Sequence, residues 1–96
     1  MQRFTDKVVL VTGAGSGIGK ASALRIAAEG GSVFCVDLNA EAVEATATQI
    51  VASGGEATGR VCDVSNESSV QDSVQACVER YGSLYGLVNM AGILRF

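Results

Sequence analysis

Eight residues stand out for the chemistry they could do: Thr12-Gly13-Ala14-Gly15-Ser16-Gly17-Ile18-Gly19, between a branched apolar run and an alanine-rich stretch. A phosphate must reach backbone N–H groups at a helix N-terminus, and a Cβ in the loop would hold it off. The helix dipole adds about 0.3–1 kcal/mol of attraction for negative charge. Gly19, the last glycine, lets the helix lie close on the strand. The spacing discriminates between loop types. A strict G-x-G-x-x-G read from Gly13 fails at Ile18, whereas T-G-x-x-x-G-x-G is met by Thr12, Gly13, Gly17 and Gly19. No G-K-[ST] follows, which excludes a nucleoside-triphosphate P-loop. The plain alternative is a glycine-rich turn that binds nothing; its place between a buried strand and a helix speaks against that.

A second candidate is Asp37, eighteen residues beyond Gly19 at the end of the next apolar run. In a dinucleotide fold that position faces the adenosine ribose, where a carboxylate accepts hydrogen bonds from the hydroxyls and repels a 2′-phosphate. The following residue is Leu38, and no Arg or Lys in the loop offsets the charge, so NAD is expected over NADP. The alternative is a helix N-terminal charge beside Asn39 and nothing more.

Candidates for proton transfer or metal binding are poor. The two tyrosines are Tyr81 and Tyr85; four residues on from each stand Tyr85 and Asn89, so neither makes Tyr-x-x-x-Lys. With a free pKa of about 10, tyrosine is a weak base at neutral pH without a cation beside it. The lysines are Lys7 and Lys20, both read at the cofactor end. Serines lack a general-base partner and read as caps, turns or solvated helix positions. There is no histidine, and Cys35, Cys62 and Cys77 are widely spaced in apolar stretches. Buried reduced thiols are expected, not a zinc site. No residue qualifies as catalytic or as a metal ligand.

The elements that must position the loop and the acid follow from periodicity. Lys7–Thr12, Ser32–Asp37 and Leu84–Asn89 are apolar on both faces, and 57–63 is a weaker run of the same kind. Such runs suit parallel strands buried on both sides. Between them, 17–29 is alanine-rich and ends at Gly30-Gly31. The stretch 40–53 carries the stripe Val43, Ala47, Ile50 and Val51, with Asn39 as cap. The stretch 66–81 carries Val70, Val74, Cys77, Val78 and Tyr81, with Ser65 as cap and Gly82 as stop. Alternating strands and helices imply an α/β, Rossmann-type parallel sheet, with strand order 3-2-1-4. Ligands would bind beyond the carboxyl ends, where the order reverses. No proline, linker or repeat divides residues 1–96, which read as one domain.

Composition removes other function classes. A net charge of −3 with interspersed signs offers no basic face for nucleic acid or an anionic membrane. The longest apolar runs, such as Val8 to Val11, are too short for a membrane span or signal-peptide core, so a cytoplasmic protein is expected.

Taken together, these residues resemble the short-chain dehydrogenase/reductase family over the whole chain. The glycine pattern is its first motif. Its Asp-Val after the third strand is matched by Asp63-Val64, which implies that Asp63 bonds the adenine amino group while Val64 lies beside the ring. Its N-N-A-G appears as Asn89-Met90-Ala91-Gly92, where Asn89 would brace the sheet and Ala91 and Gly92 would pass close to the cofactor. Met90 departs from the usual second asparagine, so any side-chain hydrogen bond from that position is lost. The resemblance implies cofactor contacts at Gly13, Gly15, Ser16, Gly17, Ile18, Gly19, Asp37, Leu38, Asp63, Val64, Asn89, Ala91 and Gly92.

The family's chemistry needs a serine, a tyrosine and a lysine four residues after the tyrosine, and none of these can be assigned in this chain. The expectation is an N-terminal portion of a longer NAD(H)-dependent oxidoreductase. Its substrate would be a small alcohol or carbonyl compound, and the complete protein would be a homo-oligomer, the family's tetramer or dimer. The chain alone would be inactive, truncated after the fourth strand, with Leu84, Leu87 and Val88 partly uncovered at an unfinished edge. Two alternatives are a non-catalytic dinucleotide-binding module or sensor and a methyltransferase with a nucleosyl cofactor. Thr12-Gly13 and Asn89-x-Ala91-Gly92 argue against the latter.

Overall fold

The computed structural model describes residues 3–89 and 92–95. Strand β1 (Val8–Thr12) leads into α1 (Gly17–Ala28), followed by β2 (Ser32–Asp37), α2 (Ala40–Ala52), β3 (Glu56–Val61), α3 (Glu67–Tyr81), β4 (Gly86–Asn89) and β5 (Gly92–Arg95). The first four strands are parallel, in the order β3-β2-β1-β4. This is the expected Rossmann-type sheet.

The apolar character of β1 on both faces is used on both faces. Val9 and Val11 pack with Ala23, Ile26, Val33, Cys35, Val43 and Ile50, under α1 and α2. Val8 and Leu10 face the other way, with Phe34, Val36, Cys77 and Leu87, under α3. A period of two in the strand thus divides one apolar run between two cores. Full burial of a side chain such as Leu10 or Val11 contributes about 1.5–3 kcal/mol against exposure. The three cysteines are buried, unpaired thiols, as expected. Burial pushes the Cys35 thiol up to about 12, helped by the Glu44 carboxylate, and the Cys77 thiol up to about 11.

Several details differ from the sequence reading. The cap of α3 is Asn66, whose side chain accepts from the Ser69 N–H at 3.1 Å; Ser65 instead gives its hydroxyl to Asp63 Oδ1 at 2.6 Å. Two capping residues stand side by side, and the Asp63 carboxylate claims the first. Val51 and Val78 belong to the periodic stripes yet are 55% and 40% exposed, while Thr46 and Ser73 take the buried positions. Each valine directly follows a buried residue of its stripe, Ile50 or Cys77, and so points about 100° away from it around the helix. Strand β3 begins at Glu56 and ends at Val61, and β4 begins at Gly86, two residues after Leu84.

The fourth strand is not an edge. It pairs antiparallel with β5, with Leu87 opposite Leu94 and Val88 opposite Ile93. Leu87 is buried in the α3-side core, and Leu84 packs against that core half-buried. The tail from Gly92 is too short for periodicity to reveal a strand, so only pairing with β4 exposes it.

Candidate functional site

The glycine loop joins the carboxyl end of β1 to α1, and each glycine there answers to a different constraint. At Gly19 the constraint is contact: an added Cβ would lie 2.0 Å from the Gly13 carbonyl oxygen and 2.9 Å from that of Thr12. The helix can rest on the loop only without a side chain there. At Gly17 the backbone has φ +57°, and an added Cβ would meet no atom within 4 Å. The chain there turns through a left-handed conformation beside open space.

The helix that starts here is unlike the other two. Asn39 caps α2 and Asn66 caps α3, and each of those helices has a glutamate in its first turn, Glu41 and Glu67. Ser16 at the N-cap of α1 makes no side-chain capping bond, and the first turn holds no acid. The first-turn N–H groups and positive dipole end of α1 therefore lack the counter-groups supplied to α2 and α3. Set beside the open space at Gly17, this cradle fits an anionic group such as a pyrophosphate.

Asp37 ends β2 next to the loop. Its Oδ2 accepts from the Gly15 N–H at 2.8 Å and its Oδ1 from the Asn39 N–H at 2.9 Å. The Ala14 N–H donates to the Val36 carbonyl at 3.1 Å, tying the loop to the same strand end. The helix-charge alternative for Asp37 is partly realised, since it holds the Asn39 N–H just before α2; its other oxygen nonetheless faces the glycine loop. Two signals in the sequence could have pointed to this clamp. Asp37 and Asn39 have the spacing of an Asx turn, and Gly15 is a glycine that the motif itself does not require.

Asp63 lies just past β3, fully exposed. Its Oδ1 accepts from both the side-chain hydroxyl and the backbone N–H of Ser65, which hold the carboxyl below its usual range. Ile18, Leu38 and Val64 are 71%, 70% and 58% exposed. Large apolar side chains in water at this end of three consecutive βα units form a rim around the loop. Asn89 and Gly92 are register partners in the β4–β5 pair, and Ala91 and Met90 lie outside the described residues. Thr12 contributes a tie the sequence did not reveal: its hydroxyl donates to the Val88 carbonyl at 3.4 Å, across the point where strand order reverses.

The remaining candidates fall elsewhere. Lys20 is in the first turn of α1, its N–H bonded to the Ser16 carbonyl. Lys7 is at the opposite end of the sheet: it precedes β1, and its ammonium lies 4.8 Å from the Tyr85 ring centroid. The expectation that both lysines sit at the cofactor end is corrected for Lys7, because an intervening strand carries the chain through the core. Tyr81 shares a 2.8 Å hydrogen bond with Thr58, and burial raises its pKa. A cavity of about 380 Å³ lined by Phe4, Ile26, Glu29, Tyr85 and Val88 contains no residue of the glycine loop. Among the described residues no cluster of His, Cys, Asp and Glu could hold a metal ion, and no helix is long and apolar enough to cross a membrane.

This arrangement defines a class: a parallel αβα sheet with a glycine-rich crossover, an acid at the second strand end and an apolar rim. Residues 7–96 match the family model described as short chain dehydrogenase, and the chain belongs to that family. It is 46% identical over 93 residues to a levodione reductase of Leifsonia aquatica, covering 95% of this chain and 35% of that protein. It is 45% identical to a D-threitol dehydrogenase of Mycolicibacterium smegmatis, covering 97% and 36%. Among solved structures, a hydroxysteroid dehydrogenase from Escherichia coli superposes with a TM-score of 0.89 at 34% identity, covering 92% of this chain and 37% of the other. The chain therefore spans about a third of the length of the relatives it matches.

Proposed function

We propose that this chain is the dinucleotide-binding domain of an NAD(H)-dependent oxidoreductase that interconverts an alcohol and a carbonyl compound. The observation that carries the reading is the uncapped, acid-free N-terminus of α1 beside the open space at Gly17. Phosphate oxygens placed there would accept from the N–H groups of Ser16, Gly17 and Ile18, with Gly13, Gly15 and Gly19 shaping the loop. Asp37 would accept from ribose hydroxyls, since each carboxylate oxygen retains a lone pair beyond the one it uses in the structure. Leu38 and Val64 would lie against the adenine ring, and Ile18 would add apolar contact from the loop. Asp63, ionised at neutral pH, would accept from the adenine amino group through Oδ2, since Oδ1 is engaged by Ser65. Asn89, Ala91 and Gly92 would line the path along β4.

When bound, the nicotinamide ring accepts the hydride from an alcohol or gives it to a carbonyl; the residues of this chain bind, orient and select. None of them acts on the substrate. A serine and a Tyr-x-x-x-Lys pair would come from the rest of a longer protein. We place that protein in the cytoplasm as a homo-oligomer, with a small-molecule partner and neither nucleic acid nor membrane. Calorimetric titration of the full-length protein with NAD, NADP and S-adenosylmethionine tests the reading. NAD should bind most tightly. Tighter NADP binding would overturn the role of Asp37, and S-adenosylmethionine binding without any dinucleotide would overturn the family function.

A further inference from the structure

Gly15 does not have a glycine's backbone. Positive φ values occur at Gly13, Gly17, Gly30, Gly54 and Gly82, and Gly15 is not among them, so an alanine could adopt its conformation. What excludes a side chain is space. A Cβ there would lie 2.8 Å from Asp37 Oδ2, 3.1 Å from Asp37 Cγ and 2.7 Å from Ala42 Cβ. The same Gly15 donates its N–H to Asp37 Oδ2 at 2.8 Å. Of the two groups in the way, Ala42 is fixed, since its N–H is bonded to the Asn39 cap in the first turn of α2. The carboxylate is the group that can move.

We propose that Gly15 is a specificity-determining residue: by lacking a side chain and offering its N–H, it clamps the Asp37 carboxylate against the glycine loop. Held by Gly15 on one oxygen and Asn39 on the other, the carboxylate cannot rotate away. A fixed anion returns the full hydrogen-bonding gain with ribose hydroxyls and the full repulsion of a 2′-phosphate. A mobile one gives up part of both, by swinging into water when a second anion arrives. Selectivity between the two cofactor forms thus depends on Gly15 as well as on Asp37. This rests on the ribose role of Asp37 proposed above.

The test uses the full-length protein and two probes that undergo no turnover, ADP-ribose and its 2′-phosphorylated form, with dissociation constants measured by calorimetry. Gly15→Ala should lower the ratio of the two affinities by about tenfold, the scale of one charge-assisted hydrogen bond. Gly15→Ala combined with Ala42→Gly removes the α2 contact, keeps the Asp37 contact and should show the same loss, which covers the case in which the single variant does not fold. Asp37→Ser is the separate arm. If it leaves the ratio unchanged, the ribose reading itself fails. If it collapses the ratio while both Gly15 variants fold and retain wild-type selectivity, the ribose reading stands and the clamp is overturned. In an Asp37→Ser background, Gly15→Ala should have no further effect on the ratio; an equal effect there would also overturn the clamp.

Discussion

Alanine at Gly17 and alanine at Gly19 are the same chemical change two residues apart, and they should fail in opposite ways. At Gly17 the backbone is left-handed, φ +57°, and the new Cβ would meet nothing within 4 Å. The only cost to folding is conformational, about 1–2 kcal/mol for an L-residue in that region. The protein should fold. The methyl group would, however, occupy the space assigned to the pyrophosphate. Losing two charge-assisted hydrogen bonds at about 1.5–3 kcal/mol each weakens binding by at least a hundredfold. At Gly19 the Cβ would be 2.0 Å from the Gly13 oxygen and 2.5 Å from its carbonyl carbon, both backbone atoms with no rotamer to escape into. Helix α1 would have to lift off the loop, at a cost of about 1–3 kcal/mol or more, as for an overpacked core. Urea unfolding and calorimetry with NAD on the full-length variants check both. Unchanged NAD affinity in a folded Gly17→Ala protein would refute the placement of the phosphates. A Gly19→Ala protein as stable as the unmodified protein would refute the packing argument.

Four further outcomes are expected. Asp37→Ser with Leu38→Arg should shift cofactor preference toward NADP, replacing repulsion with a charge-assisted bond to the 2′-phosphate; calorimetry with both dinucleotides reads the change. Glu29 is held below the usual carboxylate range by Arg3 first and Arg25 second, so it binds its proton more weakly folded than unfolded. Its contribution is present above an ordinary glutamate pKa and lost as pH falls through the depressed value. Glu29→Gln should therefore destabilise at neutral pH and cease to matter in acid, as melts across that range would show. Cys35 and Cys77, with thiols raised to about 12 and about 11, should resist alkylation in the folded protein and react only in denaturant, as mass spectrometry would report. The purified 96-residue chain should show no NAD-linked turnover with any alcohol or ketone, because Tyr81 is engaged by Thr58 and Tyr85, with Lys7 over its ring, stands before β4 at the end of the sheet away from the glycine loop; an absorbance change with a substrate panel would contradict this.

Local rules carried far in this protein because a parallel βα sheet is built from local rules. Buried strands must be apolar on both faces and helices on one, so alternation along the chain already implied a parallel sheet, and the glycine loop after the first strand made β3-β2-β1-β4 its expected order. Thr12, Gly13, Gly17 and Gly19 marked the loop for the same reason: backbone approach to an anion and to the strand restricts residue type at each position. Asp37 and Asp63 were legible as acids at strand ends. Which of two adjacent residues caps α3 was not, because Ser65 and Asn66 can both do it and the choice belongs to Asp63. Val51 and Val78 fit their helical stripes but are exposed, while Thr46 and Ser73 take the buried positions. Lys7 was misplaced because nearness along the chain is lost across a strand. The clamp on Asp37 needed the fold most of all. Gly15 and Asp37 are twenty-two residues apart; the Asx spacing and the surplus glycine mark each as constrained, but neither says that the two meet at 2.8 Å. Types and periods act through near neighbours on the chain, whereas contacts between distant residues exist only once the sheet has brought the strand ends side by side.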